Sequence, residues 1–195
     1  MVAVIDYNAG NVRSVLYALE RIGVEAVLTS DHEQIKAAEK VIFPGVGAAG
    51  TTMRFLREQG LDELIRSLTQ PVLGVCLGMQ LLCEYSEEDN NTPCLGIIPQ
   101  AVKRFIPTNG EKVPHMGWNI LRLNEETWLS PNLEGQYTYF VHSYYVETGP
   151  YTVAESDYVH PFSAVLRKDN FFATQFHPEK SGSVGEQILK DFLAQ

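Results

Sequence analysis

The sequence predicts an α/β fold in three layers: an open sheet, mostly parallel with an antiparallel portion, and helices on both of its faces. Two observations carry this prediction. In the first half of the chain, short apolar runs alternate with helical patterns, the signature of strand–helix–strand units. From about residue 96 to 177, short runs follow one another with turn residues between them, which predicts hairpins and antiparallel strands.

Each element has its own warrant. Val2-Ala3-Val4-Ile5 reads as a buried strand, closed by the turn residues Asp6 to Gly10. Val12, Val15, Leu16, Leu19 and Ile22 then fall on one helix face, and Gly23 suits the C-terminal cap. Val24 to Leu28 is a second strand, and Ser30-Asp31 is placed to cap a short helix through Ala38. Lys40 to Phe43 forms a third strand that runs into the loop Pro44-Gly45-Val46-Gly47. Helical patterns cover roughly 51 to 68, and Pro71 introduces a fourth strand, Val72 to Val75. Residues 86 to 93, SEEDNNTP, are the most polar segment and predict a surface loop. Beyond it lie the runs Ala101 to Ile106, Asn119 to Leu123, Tyr137 to Val146 and Phe171 to Phe176, the last preceded by the turn pair Asp169-Asn170. Residues 183 to 193 close the chain with a helix carrying Val184, Ile188 and Phe192-Leu193. No repeat, low-complexity tract or linker interrupts the chain, so residues 1–195 are expected to form one domain.

Composition narrows the function. The formal charge of -9 arises from 24 acidic and 15 basic residues, with no run of lysine or arginine. Nucleic acid and anionic membranes are therefore poor partners, because both need clustered positive charge. Cys76, Cys83 and Cys94 form neither a CxxC pair nor a disulfide framework, and the odd count favours reduced thiols. The first apolar run is too short for a signal peptide and lacks a basic lead, and no stretch approaches a membrane span. A soluble, cytoplasmic protein is expected.

The most informative stretch is LGVCLGMQLL, residues 73 to 82, where Cys76 stands between Gly74 and Gly78. A strand, a sharp turn holding a nucleophile, and then a helix make a nucleophile elbow. Glycines two residues to either side let strand and helix approach closely around a strained position. At a helix N-terminus the dipole and the unpaired N–H groups favour thiolate over thiol. The other reading of Cys76 is a small buried hydrophobe beside a tight turn.

A nucleophilic thiol needs a base, and the base needs an orienting partner. Gln175-Phe176-His177-Pro178-Glu179 offers both. In an extended segment residues two apart project to the same side, and Pro178 disfavours helix at His177. His177 is then the base, and Glu179 accepts from its other ring nitrogen. Acyl transfer also needs donors for an oxyanion. The N–H of Leu77 is the first, and a backbone N–H of the 43–48 loop, at Val46 or Gly47, is a candidate for the second. That loop has neither GxxxxGK[ST] nor GxGxxG spacing, which leaves phosphate binding unsupported.

GVCLGMQLL and FHPEK, with PGVG upstream, resemble the class I (triad) glutamine amidotransferases, and the resemblance runs over essentially the whole chain. DYNAGN, PGVG, CLGMQ, VPHMGWN, FVHSYY and FHPEKSG, in that order, narrow it to the branch of glutaminase subunits that serve imidazole glycerol phosphate synthases in histidine biosynthesis. The resemblance implies that Cys76 attacks glutamine, that His177 shuttles protons and that Glu179 orients His177. It implies that Gly45, Gly47, Gln80, Ser143 and Tyr144 hold the substrate. It implies a heterodimer with a barrel synthase subunit that receives the ammonia, through Asn11, Trp118, Tyr139 and Lys180. No metal or organic cofactor is implied.

Plainer roles are expected elsewhere: core packing for Cys83, a loop or strand-edge thiol at Cys94, and surface positions for His32 and His160. His115 and His142 sit within the matching motifs, with structural or interface roles expected. The competing functions are the glutaminase subunit of another amidotransferase, such as anthranilate synthase, and a non-enzymatic flavodoxin-like domain with a reactive thiol.

Overall fold

A computed structural model describes residues 1–7, 10 and 12–195 of the chain. The predicted interface residue Asn11 lies outside the described residues. In chain order the elements begin with β1 (Val2–Ile5), α1 (Val12–Arg21), β2 (Ala26–Thr29), α2 (His32–Ala37), β3 (Lys40–Phe43), α3 (Ala49–Glu58), α4 (Leu61–Ser67), β4 (Val72–Val75) and α5 (Leu77–Leu82). They continue with β5 (Cys83–Ser86), β6 (Thr92–Pro93), β7 (Ile98–Arg104), β8 (His115–Ile120), β9 (Arg122–Leu123), β10 (Tyr137–His142), β11 (Tyr144–Val146), β12 (Thr152–Asp157), β13 (Pro161–Lys168), β14 (Phe171–Thr174) and α6 (Gly182–Leu193).

Eight strands form the main sheet in the order β2-β1-β3-β4-β14-β13-β12-β9. From β2 to β14 neighbours are parallel, and from β14 to β9 they are antiparallel. The pleat explains the layers. Val2 and Val4 join the core containing Val15 and Leu19 of α1 and Ile188 and Phe192 of α6. Ala3 and Ile5, one residue out of phase, join Ile35 of α2, Met53 of α3 and Leu64 of α4 on the other face. Strands covered on both sides can be apolar throughout, which is why β1, β4 and β14 are buried at every position. A second sheet, β11-β7-β5-β6, and the two-stranded ribbon β10-β8 complete the fold.

The helical pattern predicted over 51–68 is two helices, because Gly60 turns left-handed (φ 66°) between α3 and α4. The second strand starts at Ala26, later than expected. Gly23 (φ 77°) ends α1 in a Schellman turn, in which the Val24 N–H donates to Leu19 O and the Gly23 N–H to Glu20 O. The run 137–146 is broken at Ser143, so β10 pairs with β8 and β11 with β7. The predicted turn at Asp169-Asn170 joins β13 to β14, with Asp169 at φ 52°.

One close contact positions everything that follows. A Cβ on Gly78 would stand 2.1 Å from Phe43 O, and one on Gly45 would stand 2.3 Å from Gly78 N. The end of β3 therefore lies against the first turn of α5 with no room for a side chain. Gly78→Ala should destabilise the fold by about 1–3 kcal/mol, the usual cost of overpacking, despite alanine's better helix propensity. Denaturant unfolding of wild type and variant checks this, and an unchanged or raised midpoint would contradict it.

Candidate active site

Cys76 sits between β4 and α5 with φ 52° and ψ −107°, a conformation that costs an L-residue about 1–3 kcal/mol. Its backbone is held at both ends: its N–H donates to Thr174 O at 2.8 Å, and its carbonyl accepts from Gln80 N at 3.2 Å. Glycine at 74 and 78 makes the turn possible, since a Cβ at 74 would meet Leu82 Cδ1 at 2.8 Å and Gly78 C at 2.9 Å. Cys76 as a whole is 8% exposed.

β14 lies beside β4 in parallel, so the segment after Thr174 arrives next to the elbow. Gln175 points its Nε2 at Cys76 Sγ, 3.8 Å away. His177 follows, almost fully buried, and its Nδ1 donates to Glu179 Oε1 at 2.8 Å. With the proton on Nδ1 engaged by Glu179, Nε2 is the nitrogen left to work with the Cys76 thiol. Burial alone would lower the proton affinity of His177, but Cys76 and Glu179 outweigh it and raise the imidazole above its ordinary value.

A cleft of about 350 Å³ opens at the sulfur. Val46, Gly47, Cys76, Leu77, Gln80, Ser143, Tyr144 and His177, all named from the sequence, line it. Gly45 does not; it is pressed against Leu77 and Gly78 beneath the cleft. Glu179 stands behind His177, against a small cavity shared with Val15 and Pro44. The loop carrying Val46 and Gly47 is anchored on both sides. The buried Tyr7 hydroxyl donates to Pro44 O at 2.5 Å. At the far end, Glu88 Oε2 accepts from Ala49 N at 2.7 Å, and Asp89 Oδ2 from Gly50 N at 3.2 Å. Gly47, at φ 119°, takes a backbone conformation suited to glycine.

Glu88 also lines the cleft, and burial raises its carboxyl above the usual carboxylate value. Neither Tyr7, Glu88, Gln175 nor His142 was predicted as a site residue from the sequence. Glu88 lies inside the acidic run read as a surface loop, where nothing in the pattern separates it from its neighbours. His142 lines the cleft and belongs to a chain of rings. Its Nδ1 donates to Tyr144 O at 2.7 Å, and its Nε2 lies 3.0 Å from His115 Nδ1. Burial lowers His115 to about 4 and His142 to about 3.

The predicted partner residues cluster one backbone step from His177. Trp118 is 54% exposed, its ring 5.9 Å edge-on to Tyr139, and Lys180 Nζ stands 6.0 Å from the Tyr139 ring centroid. Tyr139 O accepts from the His177 N–H at 2.9 Å, so this cluster and the His177 segment share a hydrogen bond. Cys83 and Cys94 are buried, and burial raises both thiols. His32 and His160 lie away from the cleft; His32 Nε2 meets Gln59 O at 3.1 Å, and the His160 ring lies tilted to Phe105 at 5.5 Å and edge-on to Tyr145 at 4.4 Å. Among the described residues no group of three or more His, Cys, Asp or Glu side chains could hold a metal ion. No helix among them is long and apolar enough to cross a membrane.

Comparison with known proteins places this arrangement. The family described as glutamine amidotransferase class-I matches residues 3–195. The imidazole glycerol phosphate synthase subunit HisH of Bacteroides fragilis is 61% identical over 193 residues, covering 98% of both chains. The Bacteroides thetaiotaomicron protein of that name is 59% identical over the same shares, and a Legionella pneumophila protein named HisH 2 is 47% identical over 100% of this chain and 98% of its own. A crystal structure of a glutamine amidotransferase superposes with a TM-score of 0.77 at 21% identity, covering 100% of this chain and 98% of the other.

The raised proton affinity of His177 has a sign that can be checked. Its folded-state value lies above the unfolded one of about 6.5, so the charge stabilises the fold fully below that pH. The contribution is lost as pH rises through the raised folded value. Glu179→Gln removes one of the groups that raise it, so the His177 titration midpoint should fall in imidazole NMR spectra. A midpoint that stayed put or rose would contradict this account of the electrostatics.

Proposed function

The chain belongs to the class I glutamine amidotransferase family, and we infer that it is the glutaminase subunit of an imidazole glycerol phosphate synthase in histidine biosynthesis. The identity of 59–61% with two HisH proteins over nearly the full chain carries this reading. It disfavours the anthranilate synthase alternative and the non-enzymatic one. Residues 1–195 act as one amidotransferase domain, in the cytoplasm, paired with a synthase subunit as a heterodimer.

The chemistry follows from the site. Glutamine enters the cleft with its side-chain amide carbon at Cys76 Sγ. The raised proton affinity of His177 lets the imidazole hold the thiol proton, and the resulting thiolate sulfur forms a bond to that carbon. Glu179 holds the ring through Nδ1 and stabilises its charge. The developing oxyanion is met by the Leu77 N–H at the start of α5 and by a second N–H from Val46 or Gly47. As the carbon–nitrogen bond breaks, His177 returns the proton to the leaving ammonia. Water, deprotonated by the same imidazole, cleaves the glutamyl thioester to glutamate and the free thiol. Gln80 and the Ser143–Tyr144 backbone hold the substrate's other end, with Glu88 placed to receive its ammonium group.

The loop between Tyr7 and Glu88 supplies a route for control. A donor that is rotated out of place contributes nothing, and one donor is worth roughly 3–4 kcal/mol, or two to three orders of magnitude in turnover. A partner that prefers the rotated-in state raises activity by its differential affinity. Trp118, Tyr139 and Lys180 form the surface on which it docks.

Cys76→Ser should abolish ammonia release from glutamine while the assembled synthase still uses free ammonia; residual glutamine-dependent turnover near wild type would overturn the assignment. Trp118→Ala should reduce the stimulation of glutaminase by the synthase subunit and leave the slow turnover of the isolated chain as it is. Equal stimulation of wild type and variant in coupled ammonia assays would remove Trp118 from the interface.

A further inference from the structure

His115 and His142 are directly opposed on the β8–β10 ribbon, on the face packed against Phe140 and Phe162. The other face of the same two strands carries Met116, Trp118 and Tyr137, all more than half exposed. The hydrogen bonds between the rings run in one direction. Tyr144 O can only accept, so His142 carries its proton on Nδ1 and presents Nε2 as an acceptor. His115 then donates from Nδ1 across 3.0 Å. Its own Nε2 accepts from Asn119 Nδ2 at 3.4 Å, and that amide also donates to Asp157 O at 2.7 Å.

The chain ends on a carbonyl with two donors. Tyr144 O accepts from His142 and also from Gln80 Nε2 at 3.1 Å, and Gln80 Nε2 in turn donates to Gln175 Oε1 at 3.1 Å. Gln175 Nε2 faces Cys76 Sγ. A continuous set of oriented polar groups therefore joins the ribbon, the Ser143–Tyr144 wall of the cleft and the surroundings of the nucleophile.

We propose that His115 and His142 are positioning residues: an uncharged, one-directional dyad that fixes the Tyr144 peptide for glutamine and ties it to the ribbon whose outer face carries Trp118. The proposal rests on the glutaminase reading of the cleft. It requires both rings to stay neutral, because a protonated His142 would lose its acceptor and face the donor of His115. Their surroundings enforce that. Burial opposes a positive charge on His142 most, the His177 imidazolium and any charge on His115 add to it, and only the hydrogen bond to Tyr144 O works the other way. His115 is stacked on Tyr158 at 4.1 Å and on Phe140 at 5.0 Å, and burial alone keeps it uncharged.

The test is steady-state glutamine hydrolysis by the chain assembled with its synthase subunit. His142→Phe keeps an aromatic ring but leaves Tyr144 O one donor short, and the KM for glutamine should rise about tenfold or more with kcat changed far less. His142→Asn places an amide N–H near the Nδ1 position and should recover most of the loss. An unchanged KM in His142→Phe, or no recovery with Asn, would overturn the proposal. A second measurement needs no variant. Imidazole ¹⁵N spectra of the wild-type chain should show both rings neutral and protonated on Nδ1 at and somewhat below neutral pH. An imidazolium or an Nε2–H tautomer on either ring would equally overturn it. Absence of any ammonia release by wild type would instead bring down the glutaminase reading, with the ring states still judging the dyad.

Discussion

Cys76 holds φ 52° and ψ −107°, and an L-residue stays there only because its neighbours leave no alternative. The end of β3 and the first turn of α5 approach until Gly45 and Gly78 touch backbone to backbone, and Gly74 lets Leu82 close over β4. The Thr174 carbonyl and the Gln80 N–H then hold the turn from either side. Strain in one residue is offset by two buried apolar layers, one around Leu19 and Phe192 and the other around Phe43 and Met53. The parallel order of β3, β4 and β14 brings the 44–48 loop, the sulfur and His177 to the same end of the sheet. Everything chemical in the site depends on that edge.

Histidines of opposite electrostatic character share this small volume. Burial lowers all three imidazoles near the cleft. For His177 the neighbouring Cys76 and Glu179 outweigh burial and favour the charged ring. For His115 and His142 no carboxylate intervenes, and both rings stay neutral. The difference suits two kinds of work: a base must accept and return a proton, whereas a ring that fixes a carbonyl must keep its hydrogen-bond direction. Tyr139 and Ser181 link the two groups, since Tyr139 O accepts from the His177 N–H while Ser181 Oγ donates to His177 O and accepts from Tyr139 N.

Much of this was legible in the sequence, because the informative signals were local. The glycines flanking Cys76, the spacing of His177 and Glu179, and apolar runs such as Val2–Ile5 each act over a few residues. What was missed depends on distant partners. β12 and β13 carry mixed polar residues, and the buried hydroxyls of Thr152 and Ser163 are satisfied by each other at 2.7 Å, by Gly149 N and by Glu147 O. Ser143 breaks the 137–146 run because its two ends pair with different sheets, a choice invisible in the run itself. Tyr7 and Glu88 enter the site by anchoring opposite ends of the 44–48 loop, across 37 and 39 residues of sequence. Gly45, expected beside the substrate, also makes the close approach to Leu77 and Gly78 that no residue with a Cβ could make.

The central claim is that the strained cysteine, and no other group, takes the glutamyl carbon. Acid-quenching the assembled enzyme during glutamine turnover, followed by peptide mass spectrometry, tests it most directly. The account predicts a hydroxylamine-sensitive glutamyl thioester confined to the peptide containing Cys76. Ammonia release with no adduct there, or with the adduct on Cys83, Cys94 or another side chain, would contradict it.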